Sequence, residues 1–102
     1  MVIDCGANHG DLRLWFDLMG ININYLGFEP DPQEFRSLTK NVFPGRAFNL
    51  ALWNHKSEVE FYISRYNADS SVIAPNEFDD KILIPAERLD QFINSNVKLL
   101  KL

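Results

Sequence analysis

Two short segments of this chain carry residues in an order suited to binding a nucleoside. The apolar run Val2–Cys5 is typical of a buried strand, and it leads into a glycine-containing turn that ends at Gly10. A second apolar run ends in Glu29, about twenty residues further on. In dinucleotide-binding folds, a glycine turn enters a helix N-terminus, and a carboxylate at the end of the next strand binds the ribose hydroxyls. The spacing therefore predicts a nucleoside-cofactor site.

The residue types support distinct roles within such a site. Gly6 and Gly10 allow the backbone to approach a ligand closely, and the helix N-terminus offers unpaired N–H groups. Glu29 can accept both hydroxyl protons of a ribose. Asp4 has two interpretations: it accepts N–H groups of the glycine turn, which we favour, or it contacts an amine of the cofactor.

Several other polar residues have a structural interpretation beside a functional one. Asn8 tolerates the left-handed conformation of a turn, and His9 is either solvent-facing or, less favoured, a catalytic base. Ser70 and Ser71 are expected in a turn, with contact to cofactor or acceptor as the alternative. Cys5 is expected to be a small buried residue rather than a reactive thiol.

Composition limits the class of protein. The chain has 102 residues, of which 46% are hydrophobic and 13% aromatic, which fits one folded domain. A net charge of −4 with scattered basic residues gives no indication of nucleic-acid or membrane binding. Cys5 is the lone cysteine, and His9 and His55 lie far apart, so no metal site is expected. With no apolar run of membrane-spanning length and no signal peptide, we expect a reduced, cytoplasmic setting.

The first half of the sequence predicts a β-α-β-α order, which implies a parallel sheet. A helix over about 10–18 is expected to bury an apolar stripe and to stop at Gly20. Asp31 is expected to cap the second helix, with Pro32 in its first position and Glu34 completing a capping box. The expected stripe of the first helix comprises Leu12, Trp15, Phe16 and Met19.

The second half predicts a third strand and then a break in this rhythm. Alternating residues over 48–53 indicate one strand, and 58–64 indicate a strand with one exposed face. A polar loop is expected over 65–76, followed by a strand at 82–84 that Pro85 stops. Leu89, Phe92 and Ile93 indicate a short helix, and 97–102 a buried strand. The tryptophans and phenylalanines are expected in the core.

Six segments in a shared order carry a resemblance to a known family. The chain resembles the FkbM-type S-adenosylmethionine-dependent methyltransferases over nearly all of its length. The resemblance implies an α/β, Rossmann-like methyltransferase fold, here a partial parallel sheet with an inserted β-hairpin-like segment. The segments are Val2–Cys5 with the turn to Gly10, Phe28-Glu29-Pro30-Asp31, Asn49-Leu50-Ala51-Leu52, Ser70-Ser71, Arg88-Leu89-Asp90-Gln91-Phe92 and Leu99-Leu100-Lys101-Leu102.

The same resemblance implies a function and assigns site residues. It implies O-methylation of a hydroxyl of a sugar or other small molecule, with S-adenosyl-L-methionine as cofactor. Glu29 would bind the ribose. Residues near the methionine part would be Gly6, Ala7, Asn8 and Gly10, and those near the adenine would be Pro30, Asn49 and Ala51.

One departure from the family affects the expected activity. In the family, the strand that matches 97–102 continues into an acidic, glycine-containing segment beside the transferring methyl group. That segment is missing here, and Lys101 matches a family lysine just before it. We therefore expect residues 1–102 to form a single, incomplete domain that binds the cofactor, with the catalytic base not identified.

Two other functions remain as alternatives. The chain would be a non-catalytic nucleotide-binding module, or one that self-associates through an exposed final strand. A nicotinamide cofactor is less favoured, because the turn from Gly6 to Gly10 lacks the G-x-G-x-x-G pattern.

Overall fold

The computed structural model describes residues 1–64, 72–73 and 78–102. In these residues seven strands, two α-helices and one 3₁₀ helix follow one another along the chain. Their order is β1 (Val2–Cys5), α1 (Asp11–Leu18), β2 (Tyr25–Phe28), α2 (Pro32–Val42), β3 (Arg46–Phe48), β4 (Ala51–Leu52), β5 (Ser57–Ile63), β6 (Asp80–Glu87), the 3₁₀ helix (Leu89–Phe92) and β7 (Leu99–Lys101).

The main sheet is parallel and has four strands in the order β3-β2-β1-β7. Helix α1 connects β1 to β2 and α2 connects β2 to β3, which confirms the predicted β-α-β-α order. The sheet buries residues on both faces: Val2 and Tyr25 pack towards α2, whereas Ile3 and Phe28 pack against the segment that contains the 3₁₀ helix. Burial on both faces explains why β1 and β2 are apolar runs without alternation.

The second sheet has three strands in the order β4-β6-β5. Strands β5 and β6 are antiparallel, from the pair Ser57 and Ala86 to the pair Ile63 and Asp80. This pair is the predicted hairpin-like segment, and β4 joins β6 in parallel. The mixed α/β architecture, with a parallel main sheet, is the Rossmann-like one that the resemblance implies.

Both helices begin where the sequence indicates, and α1 also ends there. Gly10 precedes α1 with a φ of 90°, and Gly20 follows it with a φ of 70°, donating its N–H to the carbonyl of Asp17. Asp31 caps α2, since its side chain accepts the N–H of Gln33 at 2.9 Å. Glu34 does not complete a capping box: its carboxylate lies 2.7 Å from the His9 ring, so that prediction is wrong.

The prediction of one strand over 48–53 is wrong, because the chain changes sheets within it. Phe48 ends β3 in the main sheet, and Ala51 begins β4 in the second sheet. The alternating pattern is compatible with a strand in either sheet. Only the pairing with distant strands assigns its first residue to the main sheet and Ala51 and Leu52 to the second.

The prediction that Pro85 stops its strand is also wrong. Strand β6 continues to Glu87, with Pro85 opposite Glu58 of β5. Among the described residues, β4 pairs with β6 only at Ala86 and Glu87, so Pro85 has no partner strand on that side, and such edge positions tolerate proline.

The expected apolar stripe of α1 is only half buried. Leu12 and Phe16 pack against the core, whereas Trp15 is 52% exposed and Met19 59% exposed. Helix α1 packs against α2, and Leu12 and Phe16 reach the core cluster that contains Val2, Tyr25 and Leu38.

Two further predictions of burial are wrong. Strand β7 covers only Leu99–Lys101 of the expected buried strand over 97–102, and Leu100 is exposed, since within the described part of the chain β7 has a neighbouring strand on one side only. Trp53 and Phe43 are exposed as well, in the segments that follow β4 and α2.

The expected loop over 65–76 lies mostly outside the described residues, as do Ser70 and Ser71; Val72 and Ile73 are described. Among the described residues, no helix is long and apolar enough to cross a membrane. In the same part of the chain, no group of three metal-ligating side chains is found.

Candidate cofactor-binding site

A cleft of about 750 Å³ lies at the carboxyl ends of β1 and β2. This volume is within the range of small-molecule and cofactor sites, and the position is where parallel α/β sheets bind ligands. Its walls come from the β1–α1 turn, the β2–α2 turn, β4 and β7. Lining residues are Cys5, Gly6, Asn8, Phe28, Glu29, Pro30, Asp31, Glu34, Leu50, Ala51, Leu52, Phe61, Val72, Leu89, Lys101 and Leu102.

The β1–α1 turn is built from left-handed residues. Gly6 has a φ of 68° and Asn8 a φ of 51°, which glycine and asparagine adopt at low cost. The N–H groups of Gly6 and Ala7 both donate to the carbonyl of Phe28, at 2.9 and 3.0 Å. The turn is thereby fixed to the end of β2, and these donors are not free for a ligand.

Glu29 connects the two turns. Its carboxylate accepts the N–H of Asn8 at 2.9 Å through Oε1 and the N–H of Asp31 at 2.8 Å through Oε2. Glu29 also takes the place that a capping-box residue would fill, since the N–H of Asp31 is that of the helix cap.

The electrostatic state of Glu29 reflects its surroundings. The side chain is only 4% exposed, and burial raises its pKa above the ordinary value, although the N–H groups of Asp31 and Asn8 oppose this rise. A carboxylate has about four acceptor positions, and the two backbone donors occupy two of them. Among the described residues no further hydrogen-bond donor to this carboxylate is found, and Glu29 lines the cleft.

Asn49 fixes the backbone that follows Glu29. Its amide donates to the carbonyls of Glu29 and Pro30, both at 2.9 Å. The N–H of Glu29 in turn donates to the carbonyl of Phe48 at 3.0 Å. The segment between β3 and β4 therefore supports the site from behind.

Asp4 does not accept N–H groups of the glycine turn, so that favoured interpretation is wrong. Its carboxylate is fully buried and accepts the Tyr25 hydroxyl at 2.7 Å through Oδ2. The Nζ atom of Lys101 lies 2.7 Å from Oδ1 and also donates to the carbonyl of Gly6 at 3.0 Å. Lys101 thus connects Asp4 to the turn.

The structure brings five of the nine predicted cofactor residues into the cleft wall: Gly6, Asn8, Glu29, Pro30 and Ala51. The other four lie behind it. Ala7 belongs to the hydrophobic core, and Asp4 and Asn49 make the supporting contacts described above. A Cβ atom on Gly10 would lie 2.8 Å from Val42, so Gly10 serves the packing of the turn on α2. Whether these residues bind a cofactor stays a prediction.

Other cleft residues were not predicted from the sequence. Glu34 lies in the first turn of α2 and lines the cleft. Its place in the sequence was an available signal, because α2 begins just after Glu29 and its first turn therefore lies near the same end of the sheet. Phe61 and Val72 come from β5 and the segment after it. Nothing local in the sequence indicates that these two face the cleft.

The charged side chains that line the cleft are mostly acidic. Glu29, Asp31 and Glu34 supply carboxylates, and Lys101 is the cation among the lining residues. The thiol of Cys5 is half-buried, and its pKa is raised by burial and by Asp4, partly offset by Lys101. A raised pKa keeps the thiol protonated, which supports the structural interpretation of this cysteine.

A parallel sheet ordered β3-β2-β1-β7, with a cleft and a buried carboxylate at its carboxyl edge, defines a Rossmann-like α/β protein whose cleft lies where such sheets bind ligands. The sequence matches the family described as the methyltransferase FkbM domain over residues 4–102. The chain therefore belongs to the FkbM methyltransferase family, as the resemblance predicted. Comparisons with curated proteins and with solved structures found no match.

Proposed function

We propose that this chain binds S-adenosyl-L-methionine in the cleft and is the cofactor-binding part of a methyltransferase that acts on a hydroxyl of a sugar or other small molecule. Family membership supports methyl transfer. The observation that carries the proposal is Glu29, a buried carboxylate on the cleft wall with acceptor positions left for a ribose. A cytoplasmic location is part of the same proposal.

The charge of the cleft favours this cofactor over a dinucleotide. S-adenosylmethionine carries a sulfonium and an amine against one carboxylate, so its net charge is positive, whereas a dinucleotide carries phosphates. Three lining carboxylates against one ammonium attract the former and repel the latter. The N–H groups of Gly6, Ala7 and Asn8 are also already bonded within the protein, so they cannot cradle a pyrophosphate.

The residues of the cleft suit the parts of the cofactor. Glu29 would bind the ribose, and the apolar side chains of Leu50, Ala51 and Leu52 would cover the adenine. The sulfonium supplies an activated methyl group, so the protein has to position the cofactor and exclude water. Lys101 donates to the carbonyl of Gly6, in the turn that would lie at the methionine end.

Calorimetric titration with S-adenosylhomocysteine tests the proposal, with NAD as the competing ligand. In Glu29→Gln the side chain can no longer accept at both ends, so we expect weaker binding by about 1–3 kcal/mol, the cost of leaving buried polar groups unpaired. Glu58→Gln is the matched control, because Glu58 is an exposed residue of β5. Binding of NAD in preference to S-adenosylhomocysteine, or equal binding by Glu29→Gln, would contradict the proposal.

We propose self-association through β7 as a second candidate function. Strand β7 pairs with β1 on one side, and among the described residues no strand pairs with its other side. Leu99 and Leu100 are exposed along it and Leu102 just after it, which is the kind of edge on which another strand can pair.

Sedimentation velocity at several protein concentrations tests this second candidate. A concentration-dependent dimer that Leu100→Lys abolishes would support it, since a charge on an edge strand opposes pairing. Leu18→Lys is the control, because Leu18 is even more exposed but lies on α1. A monomer at all concentrations would exclude pairing through β7.

A further inference from the structure

Lys101 joins two parts of the molecule that the cofactor site depends on. Its Nζ atom lies 2.7 Å from Oδ1 of Asp4 and donates to the carbonyl of Gly6 at 3.0 Å. Asp4 belongs to the buried end of β1, whereas Gly6 begins the turn that lines the cleft. One ammonium group therefore fixes the last residues of β1 and the first residue of the turn relative to β7.

The register of the main sheet explains this placement. Asp4 lies between Gly27 of β2 and Lys101 of β7, so the three residues form one row across the sheet. Neighbours in such a row project to the same face, which brings the Lys101 side chain alongside Asp4. On the other side, Gly27 has no side chain, and the Tyr25 phenol reaches Asp4 across it.

Asp4 needs this partner, because a buried carboxylate without a compensating charge is strongly destabilising. Asp4 is 0% exposed, and Lys101 is the cation that contacts it. Charge compensation alone would explain the ion pair. It would not explain why the ammonium also donates to the Gly6 carbonyl, a group that solvent could otherwise satisfy at the cleft surface.

We propose that Lys101 is a positioning residue of the cofactor site: paired with Asp4, it orients the Gly6 carbonyl and so sets the conformation of the β1–α1 turn against which the cofactor binds. This inference rests on the proposed function. It assigns Lys101 no bond to the reacting atoms.

Four variants separate positioning of the turn from charge compensation. Lys101→Met removes both contacts, and Lys101→Arg retains a cation that can reach both acceptors. The double variant Asp4→Asn with Lys101→Met removes the buried charge together with its partner. Lys98→Met is the matched control, because Lys98 is an exposed lysine just before the same strand.

Each variant is measured by calorimetric titration with S-adenosylhomocysteine, by urea unfolding and by the amide NMR signals of Gly6 and Ala7. We expect Lys101→Met to weaken binding roughly tenfold, as for loss of a hydrogen bond to a charged group. Binding should be largely retained in Lys101→Arg and unchanged in Lys98→Met. The double variant should recover stability without recovering affinity, and the signals of Gly6 and Ala7 should stay displaced in it.

Two results would overturn the inference. Recovery of affinity in the double variant would mean that Lys101 only neutralises Asp4. If Lys101→Met binds with wild-type affinity and its Gly6 and Ala7 amide signals do not move, the lysine does not determine the conformation of the turn. If the wild-type chain binds no S-adenosylhomocysteine, the proposed function fails, and the NMR signals of the variants still decide whether Lys101 orients the turn.

Discussion

The phenol ring of Tyr25 occupies the space beside Gly27 in which a side chain would otherwise stand. A Cβ atom on Gly27 would lie 2.8 Å from the Tyr25 hydroxyl oxygen and 2.8 Å from a ring carbon. The hydroxyl can therefore reach Asp4 on the neighbouring strand, at 2.7 Å. A glycine in the centre of a strand is explained here by the close approach of a side chain that supports the site.

Gly27→Ala should destabilise the protein. The added methyl group must displace a ring that is 1% exposed and tightly packed, which typically costs about 1–3 kcal/mol. Urea unfolding measures the loss. When Gly27→Ala is combined with Tyr25→Val, part of this loss in the free energy of unfolding should be recovered, because the smaller side chain frees the space. If the losses of the two single variants simply add in the double variant, the ring is not the obstacle.

Tyr25→Phe should also lower the free energy of unfolding. It leaves a buried carboxylate oxygen of Asp4 without its donor, at a cost of about 1–3 kcal/mol. Tyr62→Phe is the matched control, since the Tyr62 hydroxyl donates to Glu60 at 2.7 Å on the protein surface. We expect little change in the control, because water replaces an exposed hydrogen bond. Equal losses in both variants would contradict the role given to the buried contact.

The stability of the chain should depend on pH through Glu29. Burial raises the pKa of this carboxyl above the ordinary value of 4.5 for a glutamate. The folded state then binds the proton more tightly, so Glu29 costs stability at neutral pH, and this cost disappears as the pH falls through the folded pKa towards 4.5. Wild type should gain stability relative to Glu29→Gln over that window. A constant difference between the two unfolding curves would contradict the raised pKa.

Over the same window, binding of S-adenosylhomocysteine should weaken as the pH falls. Protonation of Glu29 removes acceptor positions that a ribose would use. Titrations at several pH values should therefore show a decline in affinity for the wild type that is absent in Glu29→Gln. A decline of the same size in the variant would assign the pH dependence to another group.

Glu34→Gln should affect the two forms of the cofactor unequally. S-adenosylmethionine carries a sulfonium charge that S-adenosylhomocysteine lacks, and Glu34 contributes one of the cleft carboxylates. We expect a loss of about 0.5–1 kcal/mol for the charged form, reduced at high salt, and a smaller loss for the neutral form. Competitive titration measures both. Equal losses would indicate that Glu34 acts by packing or through His9, 2.7 Å away, rather than by charge.

The sequence determined the elements in which local chemistry and burial agree. Strands β1 and β2 are apolar because both faces of the sheet are covered, and Gly10, Gly20, Asp31 and Pro32 mark the helix boundaries by backbone preferences that act within a few residues. Glu29 could be placed at the cleft for the same reason, since it directly follows β2.

Tertiary structure alone decided what depends on partners distant in the chain. The alternating residues after Phe48 fit either sheet, and pairing with β6 determines that Ala51 belongs to the second one. Exposure of Trp15 depends on which neighbours cover α1, a property that periodicity does not encode. The contact from Lys101 to Gly6 spans 95 positions of sequence, and only the register of β7 on β1 brings the two together.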